Sequence, residues 1–96
     1  MTSPNPWFTY IIRCSDKTLY TGVTTDLVRR LAEHNSLRGG ARYTRARQPV
    51  QLVFAEKLAS RSLACRREYA IKQLSAAAKK QLINDQQEQD NDVFPP

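Results

Sequence analysis

Residues 7–14 (WFTYIIRC) and 18–23 (TLYTGV) are rich in β-branched and aromatic side chains, and only Ser15-Asp16-Lys17 separates them. A polar link this short fits a tight hairpin, so the two runs are read as antiparallel strands. Thr24, Thr25 and Asp26 then offer helix N-caps, and Leu27, Val28, Leu31 and Ala32 recur at helical spacing up to about Asn35. Residues 36–49 hold two adjacent glycines, a proline and four arginines without any period, the pattern of a loop. Strand character returns at Val50–Glu56. Ser60 or Ser62 can cap a second helix through about Leu74, and Ser75 a third that ends near Ile83. The order is ββαβαα, an α+β arrangement.

Ninety-six residues suit one small domain, near the size where folding buries around 60–70% of the unfolded chain's surface. A second domain is not expected, nor is a membrane span or a secretory signal, which makes the cytoplasm the expected compartment. Cys14 and Cys65 are expected to stay reduced rather than to form a disulfide, and with His34 they lack the spacing of a zinc site. Charge is more informative. Residues 1–83 carry all fifteen Lys and Arg against five acids, an excess of +10. That excess favours a polyanionic partner, the alternative being a solubilising surface. Asp85, Glu88, Asp90 and Asp92 follow in a polar stretch from Asn84, expected to be disordered, either as a plain solvated terminus or folding back on the basic domain.

Several side chains can carry chemistry. Alternation along the strands puts Tyr10 on a face with Phe8, and Tyr20 on one with Thr18 and Gly22, so the tyrosines can meet across the hairpin. They serve either as a packing pair or as reacting groups. Arg30 and His34 form an i,i+4 pair beside Leu27 and Leu31, able to reach inward, while Arg29 and Glu33 are expected to form a solvated pair. A histidine at a helix C-terminus is also an ordinary cap. Glu68 flanks a stripe of Leu63, Ala70, Ile71 and Leu74, and Lys72 stands four residues later in the orientation of a helix ion pair. Arg67 lies inside that stripe and either snorkels, pairs with an acid or lines a cleft. Arg38, Arg42, Tyr43, Arg45 and Arg47 suit a segment that tracks phosphates and stacks a base, with Gly39 and Gly40 permitting close backbone approach; a flexible charged loop is the other reading.

The run Phe8-Thr9-Tyr10, Leu19-Tyr20-Thr21-Gly22, then Arg30 ten residues after Tyr20 and His34 four later, resembles the GIY-YIG endonuclease signature. The stretches HNSLRGGARYTRARQPVQLVFAE and RREYAIKQL are similar to the small stand-alone bacterial, YhbQ-like branch of that family, and the likeness covers residues 7–83. It leaves residues 1–6 as an extension and 84–96 as an acidic tail. The resemblance implies a small three-stranded antiparallel sheet flanked by helices, and a divalent-metal-dependent endonuclease acting on DNA more than RNA, structure-selective and linked to repair or processing. A non-catalytic nucleic-acid-binding module on the same fold is the alternative, and a protein partner is open. Carried over by residue, Tyr10 and Tyr20 are the active-site tyrosines, one helping to activate water. Arg30 stabilises charge on the scissile phosphate, His34 assists proton transfer or positioning, and Glu68 holds the metal. Beside these, and read from the residues themselves, Arg38, Arg42, Tyr43, Arg45, Arg47 and Lys72 are the expected nucleic-acid contacts.

Hydrolysis of a phosphodiester needs an activated water, a charge stabiliser and help for the leaving oxygen. A free tyrosine, with pKa near 10, is only about 0.1% phenolate at pH 7, a deficit of roughly 4 kcal/mol. Five scattered acids argue for one ion rather than two. Magnesium or manganese held by Glu68 together with the substrate phosphate fits that count.

Overall fold

A computed structural model describes residues 6–36 and 39–89. The chain forms β1 (Trp7–Arg13), β2 (Leu19–Thr24), α1 (Leu27–His34), a short α2 (Arg42–Arg45), β3 (Gln51–Leu58), α3 (Arg61–Lys72) and α4 (Ala76–Gln89). The expected ββαβαα order holds, with α2 as an extra turn inside the stretch read as loop. The sheet is antiparallel with order β2-β1-β3. No helix among the described residues is long and apolar enough to cross a membrane.

Central placement explains why Thr9, Tyr10, Ile11 and Ile12 are all buried: both faces of β1 are covered. One face packs Ile11 with Val53, Phe54, Ile71 of α3 and Ile83 of α4. The other packs Tyr10, Ile12, Cys14 and Val50 against Leu27 and Leu31 of α1. A register shift between Ile11 and Ile12 pairs them with Phe54 and Leu52, so Val53 is the extra residue of a bulge and joins Phe54 on one side. The hairpin turn closes with the Cys14 N–H donating to the Thr18 carbonyl at 2.8 Å. Lys17 takes φ 70° there, a conformation that costs a residue with a Cβ roughly 1–2 kcal/mol.

Local signals place the helices. Asp26 accepts from the Arg29 N–H at 3.0 Å, and Ser60, not Ser62, accepts from that of Leu63 at 3.1 Å. Thr9 donates its hydroxyl to the Ala64 carbonyl at 2.8 Å, tying α3 to the central strand.

Three expectations need correction. Val28 is 82% exposed and Ala32 is also outside; the inward arc of α1 instead runs through Leu27, Arg30, Leu31 and His34. Burial of a histidine at the centre of that arc is stabilised by hydrogen bonds that apolar periodicity does not register. Likewise, Leu63 and Ala70 of α3, and Leu74 just beyond its end, face out, whereas Ala64 and Ile71 are buried. Lastly, α4 continues through residues 84–89, which composition marks as disordered. Gln86 explains it: its side-chain amide donates to the Ala55 carbonyl at 2.5 Å and accepts from the Ala55 N–H at 3.0 Å, fastening the helix to β3. The rest of the acidic tail, from residue 90, lies outside the described residues.

Candidate active site

Tyr10 faces Gly22 across the hairpin. Without a side chain at position 22, the tyrosine ring can lie over β2; a Cβ there would stand 2.5 Å from its hydroxyl. The ring thus delivers its hydroxyl beyond β2, where α1 presents His34. Tyr10 Oη and His34 Nε2 are 2.8 Å apart, both groups buried. On the far side of the imidazole, Nδ1 is 2.7 Å from Thr44 Oγ1, whose hydroxyl donates to the Ala41 carbonyl at 3.0 Å. The Ala41 N–H also approaches Nδ1, but only at 3.4 Å; with the Thr44 hydroxyl committed to the Ala41 carbonyl, the shorter contact decides the tautomer, so Nδ1 donates to Thr44 and Nε2 accepts from Tyr10.

Electrostatics keep the pair neutral. Burial, with the Arg30 charge second, pulls His34 down to about 4. Burial pushes the Tyr10 phenol up to about 12, although the Arg30 guanidinium beside it draws the other way. Tyr20 and Glu68 are close enough for their charge to oppose ionisation of Tyr10 as well. His34 is bonded to the Tyr10 hydroxyl and Arg30 stands beside it, while Tyr20 packs on His34 and Glu68 acts on Tyr10 only through its charge. Arg30 is braced by Glu33, Nη1 to Oε1 at 3.0 Å, closer than the expected Arg29–Glu33 pair at 4.0 Å. Burial lowers the Arg30 pKa, but the hydrogen bonds with Glu33 and Tyr10 outweigh it, so the guanidinium stays charged.

Tyr20 sits lower on the same sheet face, its ring edge-on to His34 at 5.3 Å and stacked on Tyr43 at 6.1 Å. Among the described residues its hydroxyl makes no hydrogen bond. Glu68 has a side chain 23% exposed and is paired with Lys72 at 3.1 Å. Lys72, expected at nucleic acid, is thus engaged with the carboxylate. Arg67, the oddity of its helix, pairs with Glu56 at 2.7 Å.

The basic loop divides. Arg42 and Arg45 are exposed on α2 and form no ion pair among the described residues. Arg47 differs from the expectation of a phosphate contact: its guanidinium bonds Asp16 at 3.0 Å and the Tyr43 carbonyl at 2.8 Å, and lies 3.9 Å from the Tyr43 ring centre. It stiffens Tyr43 instead. Arg38 lies outside the described residues. Gly40 is spent on folding this loop over His34, with φ 78° and room for a Cβ only 2.7 Å from His34 Cα. Gln48 joins in, donating to the His34 and Ser36 carbonyls at 2.8 and 2.6 Å. Sequence reading missed Thr44, Glu33 and Gln48; only the Tyr10–Gly22 opposition was accessible from strand alternation.

Among the described residues no three His, Cys, Asp or Glu side chains gather. The metal ligand expected from the sequence, Glu68, presents one partly exposed carboxylate at this edge. A single hard oxygen ligand at a partly open position suits magnesium, which keeps several waters.

Comparison of the sequence with known families matches residues 6–82 to the GIY-YIG catalytic domain. The chain belongs to that family, a nuclease superfamily whose members act on nucleic acid. Within it the chain falls in the UPF0213, YhbQ-like branch. It is 58% identical over 77 residues to a UPF0213 protein of Desulfotalea psychrophila, covering 80% of this chain and 70% of that one. The UPF0213 protein YhbQ of Salmonella arizonae is 44% identical, with 85% and 81% covered. The solution NMR structure of a Bacillus halodurans UPF0213 protein superposes with a TM-score of 0.54 at 43% identity, covering 82% of this chain and 83% of that one.

Proposed function

We propose that this protein is a divalent-metal-dependent endonuclease that hydrolyses phosphodiester bonds in DNA, selecting substrates by shape, in cytoplasmic DNA repair or processing. The observation that carries the reading is the grouping of Arg30 and His34 at the buried Tyr10 hydroxyl, with the Tyr20 ring packed on His34 and the Glu68 charge nearby. Arg30 is held charged and oriented by Glu33, ready to bind a phosphoryl oxygen whose charge grows in the transition state. Tyr20, with its hydroxyl free, meets the attacking water. Tyr10 and His34 are positioning residues: neutral, buried and bonded to one another, they fix the place of the guanidinium and of the Tyr20 ring. Glu68, released from Lys72 when substrate phosphate competes for that ammonium, would hold one magnesium or manganese ion. When bound, the ion supplies a more acidic water and charge neutralisation at the phosphate. Arg42, Arg45 and Tyr43 extend the contact along the strand.

A cleavage panel of single-stranded, duplex, flap, branched and RNA substrates tests this. Wild-type protein with magnesium is expected to cut at least one DNA form, with Glu68→Gln, Arg30→Ala and Tyr20→Phe reduced by about 100-fold or more, the order lost with one electrostatic or acid–base group. Equal cleavage by purified Glu68→Gln protein would remove the carboxylate from the mechanism. Salt-sensitive binding without any cut strand in magnesium or manganese would make the domain a binding module.

A further inference from the structure

The turn between β1 and β2 and the first half of α4 enclose a half-open cavity of about 690 Å³. It lies on the sheet face opposite Tyr10: its floor includes Leu19 and Ile83, which pack with Ile11 and Ile71. Around it stand Arg13, Lys17, Lys79 and Lys80, and no acid is among the residues that line it. Among the described residues none of the four cations makes an ion pair. Asp16, the acid next to Lys17, is turned toward Thr18 and Arg47. Four like charges around an apolar floor repel one another, and an anionic ligand relieves that repulsion.

Lys17 supplies a second, independent observation. It takes the left-handed position of the turn, φ 70°, which glycine or asparagine occupies with little strain. Backbone strain carried by a charged residue beside a cationic cavity points to a use for that charge.

Chain continuity indicates what the cavity receives. Leu19 on its floor adjoins Tyr20, and α3 leads from Glu68 past Lys72 to Ala76, which opens α4 at the cavity wall. Two strand residues, roughly 7 Å, separate Tyr20 from Thr18 on the rim. The geometry points to a second, non-catalytic nucleic-acid site: the cleft between the hairpin turn and α4 binds phosphates of the strand flanking the scissile bond, with bases or sugars on the apolar floor. This rests on the nuclease reading of the Tyr20–Arg30–Glu68 edge, yet binding is measurable without cleavage.

The test is fluorescence anisotropy of a labelled twelve-nucleotide single-stranded DNA with the full chain, without divalent metal and across a salt series. The double variant Lys79→Gln/Lys80→Gln is expected to bind about 10-fold more weakly near 0.1 M salt. The slope of log Kd against log salt should become shallower by about 1.4, at about 0.7 per lost phosphate contact. Lys17→Gly is expected to bind about 3-fold more weakly while its Tm stays level or rises, because the turn is relieved; this separates lost binding from lost folding. A charge-matched control, Lys57→Gln/Arg66→Gln, should retain affinity. If the Lys79/Lys80 variant matches wild type in affinity and slope, or the control loses as much, the cleft proposal is wrong while the nuclease reading stands. Displacement of the strand only from wild type by inorganic tripolyphosphate supports the cleft; tight tripolyphosphate binding that leaves the strand bound overturns it in favour of a small phosphate ligand. No binding of DNA or RNA by wild type overturns both.

Discussion

Replacing Gly22 by alanine puts a methyl group where the Tyr10 ring lies. The new Cβ would be 2.5 Å from the Tyr10 hydroxyl and 2.7 Å from Cζ, so ring or strand must move. Tyr10 is almost wholly buried and bonded to His34; displacement of roughly an ångström takes that bond beyond hydrogen-bonding range. Overpacking a filled interior costs about 1–3 kcal/mol, and orphaning a buried acceptor about 1–3 kcal/mol. Because one movement serves both, we expect a net loss of about 3 kcal/mol, or a Tm lower by roughly 12–24 °C for a domain this size. Thermal and urea unfolding followed by circular dichroism measure it. Tyr10→Phe, which also strips His34 Nε2 of its partner, should cost about 1–2 kcal/mol alone. The two changes share a bond, so the double variant should fall short of their sum by about 1 kcal/mol or more. A Gly22→Ala loss under about 1 kcal/mol, or strict additivity with Tyr10→Phe, refutes the account of the ring lying over β2.

Stability should depend on pH through His34. Its folded pKa, about 4, is below the ordinary 6.5, so the unfolded chain binds the extra proton between those values. Stability is then complete above about pH 6.5 and falls by about 3 kcal/mol toward pH 4; a flat profile, or one unchanged in His34→Gln, would contradict a neutral buried imidazole. Tyr10 acts at the other end: with its phenol raised from 10.0 to about 12, unfolded chains ionise first and stability declines from pH 10 upward, a limb that Tyr10→Phe should reduce. Gly40→Ala meets His34 backbone rather than a movable side chain and adds left-handed strain, for a loss of about 2–4 kcal/mol in urea titration; a loss within 0.5 kcal/mol, roughly the surface norm, would show the loop free of His34.

The hairpin, the α1 and α3 segments and the β3 run were legible because each is a local pattern with a local cap or turn. Which way the helices faced was less so. Periodicity favoured Val28, whereas α1 buries His34, because the groups that satisfy the imidazole come from β1 and from Thr44 ten residues on. The expectation that Tyr10, Tyr20, Arg30, His34 and Glu68 form a site rested on their joint spacing; the fold brings His34 and Arg30 to the Tyr10 hydroxyl. The supporting residues had no such spacing. Thr44 and Gln48 act through a loop whose course depends on Gly40, and Arg47 read as a phosphate ligand only because its partners, Asp16 and Tyr43, meet it in space rather than in order.

The amide of Gln86 has a bearing on how copies of this chain coexist at high concentration. β3 is an outer strand, and the exposed backbone of an outer strand is a template on which another molecule's strand can grow. Gln86 answers both Ala55 backbone groups as a neighbouring strand would, interrupting the template midway. Fraying of the last turns of α4 therefore does more than shorten a helix: it opens a rim, and Gln86→Ala protein should self-associate at concentrations where the parent remains monodisperse in light scattering.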